Sequence, residues 1–178
     1  MQNKNSLKDL ILTGLFIAIG LTLPIVFHYF GGLGAIFLPM HIPVLLCGFI
    51  CGWKYGLICG IITPLLSSVL TGMPPIFPIG ASMSFELLTY GLLCGLLYKT
   101  LHKNIYVSLI SAMLGGRIVS GIANTIFMGV AGKPYGFSIF ITSAFIKSLP
   151  GIIIQIILIP LLIIALQKTG QLKTQTQR

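Results

Sequence analysis

The chain has 178 residues, 56% of them hydrophobic and 7% charged, with a net charge of +9 and only two acidic side chains, Asp9 and Glu86. A soluble domain carries about a quarter charged residues; with a mean hydropathy of +1.03, this composition describes a polytopic membrane protein. It excludes a two-carboxylate glycosidase, an acidic metal cage and, in the absence of GxxxxGK[ST], a P-loop ATPase.

A membrane crossing needs about 20 mostly apolar residues, and six segments can be drawn in chain order. The first runs from about Leu7 to Phe30. Its long apolar core, with no small-residue cleavage site behind it, reads as a retained helix rather than a signal peptide. A Gly-rich loop, Gly31 to Pro39, leads to a second segment, Met40 to Gly52, short enough to sit in protein rather than lipid. The third covers Tyr55 to Thr71 and ends at a Pro-rich turn, Gly72 to Pro78. The fourth runs from Ile79 to Tyr98, the fifth from Ile105 to Val130 and the sixth from Phe137 to Leu166. Residues 1–168 therefore read as one six-helix transmembrane domain, and 169–178 as a polar cytoplasmic tail, expected to be disordered.

With six crossings and both termini in the cytoplasm, Lys4, Lys8, Lys54, Lys99, Lys103, Lys168, Lys173 and Arg178 fall inside, and Lys133 alone falls in an outer loop. That is the positive-inside pattern. The same placement argues against nucleic acid, because the basic residues form no face with interleaved aromatics. Cys47, Cys51, Cys59 and Cys94 all lie inside apolar runs and read as small packing residues, with no disulfide framework implied.

Three charges lie within the segments: Glu86, Arg117 and Lys147. Each costs roughly 2.5 to 3.5 kcal/mol near a helix centre, so each is expected to face the bundle interior. Residues three and four apart share a helix face. Ser82, Glu86 and Tyr90 then form one polar seam, and Arg117, Ser120, Gly121 and Asn124 a second. Ser143, Lys147, Gly151 and Gln155 form a third, and Thr63, Ser67 and Thr71 a fourth. Pro150 removes a helical hydrogen bond beside Lys147 and is expected to kink the last helix.

The seams converge in the outer half of the bundle. Glu86 paired with Arg117 or Lys147 would serve as interhelical glue. One carboxylate cannot neutralise both cations, however, and a leftover cation suits a carboxylate, phosphate or electron-rich carbonyl on a ligand. The candidate binding residues are Glu86, Asn124 and Lys147, with Arg117 deeper, Gln155 on the last seam, and Tyr90, Phe127 and Tyr135 as ring-stacking groups. His41 stands at the outer mouth, either as a hydrogen-bonding group or as an interfacial residue beside His28. No carboxylate or cysteine joins those two histidines outside, so no metal site is expected.

Two motifs point to a family. Gly14, Ala18 and Thr22 form a small-residue stripe of the kind that lets helix backbones approach closely. The run Leu38-Pro39-Met40-His41-Ile42-Pro43-Val44-Leu45-Leu46-Cys47-Gly48 stands at the start of the second segment. Together with six short-looped helices, the whole chain resembles the substrate-binding S component of an energy-coupling factor (ECF) vitamin transporter. The stripe is similar to that family's AxxxA pattern, with glycine and threonine in place of two alanines. The resemblance implies an all-α integral membrane bundle in a prokaryotic plasma membrane that captures a water-soluble vitamin or precursor from outside. Loops at Gly31 to Pro39, Gly72 to Pro78 and Gly129 to Pro134 would close over it. It further implies partners: a membrane T protein, met by Gly14, Ala18 and Thr22, and two ATPases that hydrolyse the ATP, leaving no cofactor in this chain. Two other readings are a stand-alone proton-coupled secondary transporter with Glu86 as relay, and an intramembrane enzyme. The first lacks a visible inverted repeat; the second lacks a histidine at the depth of a Ser or Cys nucleophile.

Overall fold

The computed structural model describes residues 3–29 and 34–169, with side chains from Ser6 to Phe27 and from Ile36 to Thr169. Gly31 to Leu33, the His28 side chain and the tail from residue 170 onward lie outside the described residues. The chain order is α1 (Asn3–Tyr29), a single turn α2 (Gly34–Phe37), α3 (His41–Cys51) and α4 (Trp53–Thr71). An irregular turn, Ile76–Gly80, leads into α5 (Ala81–Gly95), which finishes in a π-helical turn, Leu96–Thr100. Then come α6 (Ile105–Val130), α7 (Phe137–Ile141), a π-helical turn at Thr142–Lys147 and α8 (Leu149–Lys168). The described residues contain no strand.

Five stretches are long and apolar enough to cross a membrane: Ser6–Phe27, Trp53–Thr71, Ile76–Thr100, Ile105–Val130 and Leu149–Lys168. Two apolar helices are shorter, His41–Cys51 and Phe137–Lys147. At 11 residues, α3 is about 16 Å long, too short to cross alone. It is apolar on all sides, and such a helix belongs inside protein. His41, Pro43, Val44, Leu45, Cys47, Gly48, Phe49 and Cys51 are all buried, with α1, α4, α5 and α8 packed around it.

Close backbone contact holds the centre together. Gly56 of α4 and Gly91 of α5 face each other so tightly that a Cβ on Gly91 would overlap the Gly56 carbonyl. Lipid-embedded helices gain little from hydrophobic exclusion, so such small-residue contacts supply the packing. The four cysteines are buried and free. At the far end, Lys99 Nζ donates to the Ile50 carbonyl at 2.7 Å and Gln167 Nε2 to the Tyr98 hydroxyl at 2.6 Å. The Asn104 side chain caps α6 by accepting from the Tyr106 amide at 2.9 Å.

Most of α1 stays on the outside. Thr13, Phe16 and Gly20 face inward, while Leu7, Leu10, Ile11, Gly14, Leu15, Ala18, Thr22, Ile25 and Val26 are exposed. The last helix departs from a uniform helix. Its buried stripe reads Ala144, Ser148, Gly151, Gln155, Ile159 and Ile163, and the π-helical turn ends on Lys147, which points outward.

Candidate functional site

A cavity of about 500 Å³ opens at the Pro-rich end of the bundle. Its walls are apolar: Pro24 of α1, the Leu38-Pro39-Met40 turn before α3, the Met73-Pro74-Pro75 turn after α4, Ile79 just before α5 and Met83 in its first turn. Leu38 adopts a left-handed backbone (φ 51°), uncommon for a branched residue, and its carbonyl accepts from the His41 amide at 3.1 Å. The second turn is tied down by Ser67, whose hydroxyl donates to the Met73 carbonyl at 2.7 Å.

The floor is polar and draws on four helices. Ser82, Glu86 and Tyr90, four residues apart on α5, lie on one buried face. From α6, Arg117 Nη1 reaches Glu86 Oε1 at 3.0 Å, and from α3 His41 Nε2 stands 3.5 Å from the same oxygen. The Tyr90 hydroxyl donates to it as well, at 3.0 Å. Arg117 Nη2 also donates to Ser148 Oγ at 3.4 Å, at the foot of α8. Higher up the wall, the Ser82 hydroxyl donates to Asn124 Oδ1 at 2.8 Å, and Asn124 Nδ2 donates to the Ser120 carbonyl at 2.9 Å. Glycine at 116 makes room for this arrangement, because a Cβ there would overlap the Tyr90 ring. Buried polar groups that satisfy one another hold their geometry; in this floor the His41 ring nitrogens and Arg117 Nε are left without a hydrogen-bond partner among the described residues.

The expected site residues divide clearly. Glu86, Arg117, Asn124 and His41 line the cavity, together with Ser82 and Ser120. Tyr90 lies beneath the floor, fully buried, with its ring edge-on to His41 at 5.5 Å between centroids. It supports Glu86 rather than facing the opening. Gln155 is buried on α8, and neither its oxygen nor its nitrogen has a hydrogen-bond partner among the described residues. It does not line the cavity; nor do Tyr135 and Phe127. Phe127 instead packs with Phe77 and Phe85, each at 5.8 Å. The Gly129 to Pro134 loop contributes no lining residue either.

Lys147 is exposed and outside the cavity. The leftover cation expected at the site is therefore absent from the lining. Lys147→Ala is expected to leave solute affinity within about twofold of the parent, measured by titration calorimetry in detergent. Among the described residues no group of three or more His, Cys, Asp or Glu is arranged to hold a metal ion. Three features of the site carried no signal in the seam reading: the methionines Met40, Met73 and Met83, Pro24, and Ser148 as a partner of Arg117. Ser148 was findable, since it lies three and seven residues before Gly151 and Gln155 on one helical face.

Gly14, Ala18 and Thr22 stand together on the exposed side of α1. A Cβ added at Gly14 meets nothing within 4 Å. The Thr22 hydroxyl is satisfied within its own helix, donating to the Ala18 and Ile19 carbonyls at 3.1 Å, so the stripe presents a smooth apolar surface.

The family model described as "ECF transporter, substrate-specific component" matches residues 8–163. No curated protein and no solved structure matches the chain. With that match spanning nearly all of an apolar helical bundle, the chain belongs to the substrate-specific components of ECF transporters, which are multi-pass plasma-membrane proteins that bind and transport rather than catalyse.

Proposed function

We propose that this chain captures a small water-soluble vitamin or vitamin precursor outside the cell, in the cavity floored by Glu86, Arg117 and Asn124. It then delivers the solute inward together with a T protein and two ATPases. With both termini cytoplasmic, the Pro-rich end would face outside and the lysine-rich ends inside, an orientation that the positive-inside pattern supports. The observation that carries the reading is the cavity itself. It is of small-molecule size, mostly apolar, with a few convergent polar groups, as binding sites for small solutes are. The turns at Leu38 to Met40 and Met73 to Pro75 form its rim and serve as the closing loops.

The exposed Gly14, Ala18 and Thr22 stripe is the docking face for the T protein. Side chains added there touch nothing inside the bundle, so docking and capture are separable. Gly14→Leu with Ala18→Leu is expected to keep solute affinity within about twofold while lowering ATP-driven uptake at least tenfold in proteoliposomes holding the partners. Undiminished uptake would remove the stripe from the mechanism. Uptake of the same solute without any ATPase would identify a proton-coupled carrier instead.

A further inference from the structure

Building on the proposed capture role, we infer that the solute carries no net charge at neutral pH and presents a ring to the cavity walls. The first part follows from charge balance. Among the described residues, the cavity lining holds one anion, Glu86, and one cation, Arg117, joined at 3.0 Å. Lys147, the other cation that the sequence reading put in the bundle interior, is outside. His41 is 2% exposed, and the carboxylate oxygen 3.5 Å from its Nε2 is the one Arg117 already holds at 3.0 Å; one carboxylate does not neutralise two buried cations, so His41 enters as neutral imidazole.

Arg117 Nε has no hydrogen-bond partner among the described residues, but an anionic solute sharing that guanidinium would put a second negative charge beside Glu86 with one cation to balance both. A cationic one would strand the guanidinium. An uncharged solute leaves the pair intact and uses the remaining hydrogen-bonding capacity of Ser82, Ser120 and Asn124. The walls supply the second part. Met40, Met73 and Met83 line the cavity, and thioether sulfur packs favourably against aromatic rings while adapting to their shape. Among the lining residues none is Phe, Tyr or Trp, and the His41 imidazole is the one aromatic ring of the protein's own there.

The test uses the small-molecule fraction of yeast extract, separated by ion exchange at pH 7 into uncharged, anionic and cationic pools. Each pool is added to the purified protein, thermal stabilisation is recorded, and the bound compound is weighed by native mass spectrometry. Stabilisation by the uncharged pool, with a ring-containing compound bound, is the expected result. Stabilisation by the anionic or cationic pool, or an acyclic bound compound, overturns the inference and leaves the capture role standing. No stabilisation by any pool or by the whole extract overturns the capture role itself.

Paired variants give an independent readout with the same uncharged pool. Glu86→Gln and Arg117→Gln alone are each expected to lose at least tenfold in binding, and the double variant to recover to within about tenfold of the parent. A double variant weaker than both singles would mean that Glu86 and Arg117 each grip the solute directly rather than neutralising one another, and would overturn the charge-balance argument.

Discussion

Arg117→Gln is expected to destabilise the bundle by about 3 to 5 kcal/mol, the cost of leaving one member of a buried ion pair alone. Glu86 is about as buried as any charged residue among the described residues, at 6% exposure. Arg117 is its only fully charged neighbour among the described residues, the others being His41 and the Tyr90 hydroxyl. Glutamine removes the charge but is also shorter than arginine, so rescue by a second substitution, rather than the single loss, isolates the charge. The matching prediction is that Glu86→Gln in the same chain recovers more than half of the lost stability, since replacing both partners by neutral groups removes the stranded charge. Unfolding in mixed micelles, followed by circular dichroism, measures both. If the single variant is as stable as the parent, water reaches Glu86 freely and the floor is not the closed network described.

Gly91→Ala is expected to cost about 3 kcal/mol, the upper end of overpacking penalties, and to deplete the protein from the membrane. The added methyl would overlap the Gly56 carbonyl, and backbone of this kind cannot swing aside as the end of a side chain does. Contact between α4 and α5 would have to open, and α5 carries Ser82 and Glu86. Gly14→Ala is the control, because its methyl meets nothing within 4 Å, and it should be neutral. Mixed-micelle unfolding of the two variants side by side checks the contrast. Equal stability would show that α4 and α5 are free to separate.

Much of the site was legible in the sequence where helices are regular. On α5 the four-residue spacing of Ser82, Glu86 and Tyr90 holds, because α5 runs without interruption from Ala81 to Gly95. The same is true of Arg117, Ser120 and Asn124 within α6. The seam of Ser143, Lys147, Gly151 and Gln155 fails for two reasons. Steps of four drift by about 40° each on a helix of 3.6 residues per turn. The π-helical turn at Thr142–Lys147 then shifts the register further, since a wider turn takes an extra residue. Ser148 ends inside beside Arg117, and Lys147, one residue earlier, ends outside. The methionine walls were illegible for another reason: Met40 and Met73 lie in turns, where no period links a residue to a face. The brevity of the second segment left open whether it crosses or sits in protein; α3 is buried among α1, α4, α5 and α8.

In the proposed function a charge-balanced polar floor under an apolar, Pro-rich rim holds a small solute, while an outer stripe on α1 meets the partner. Its central claim is tested most directly by native mass spectrometry of the protein gently extracted from its own membrane. The account predicts a complex with one further membrane subunit and two ATPases, carrying a bound small molecule. A stable homodimer without ATPases, active in solute uptake by itself, would contradict it.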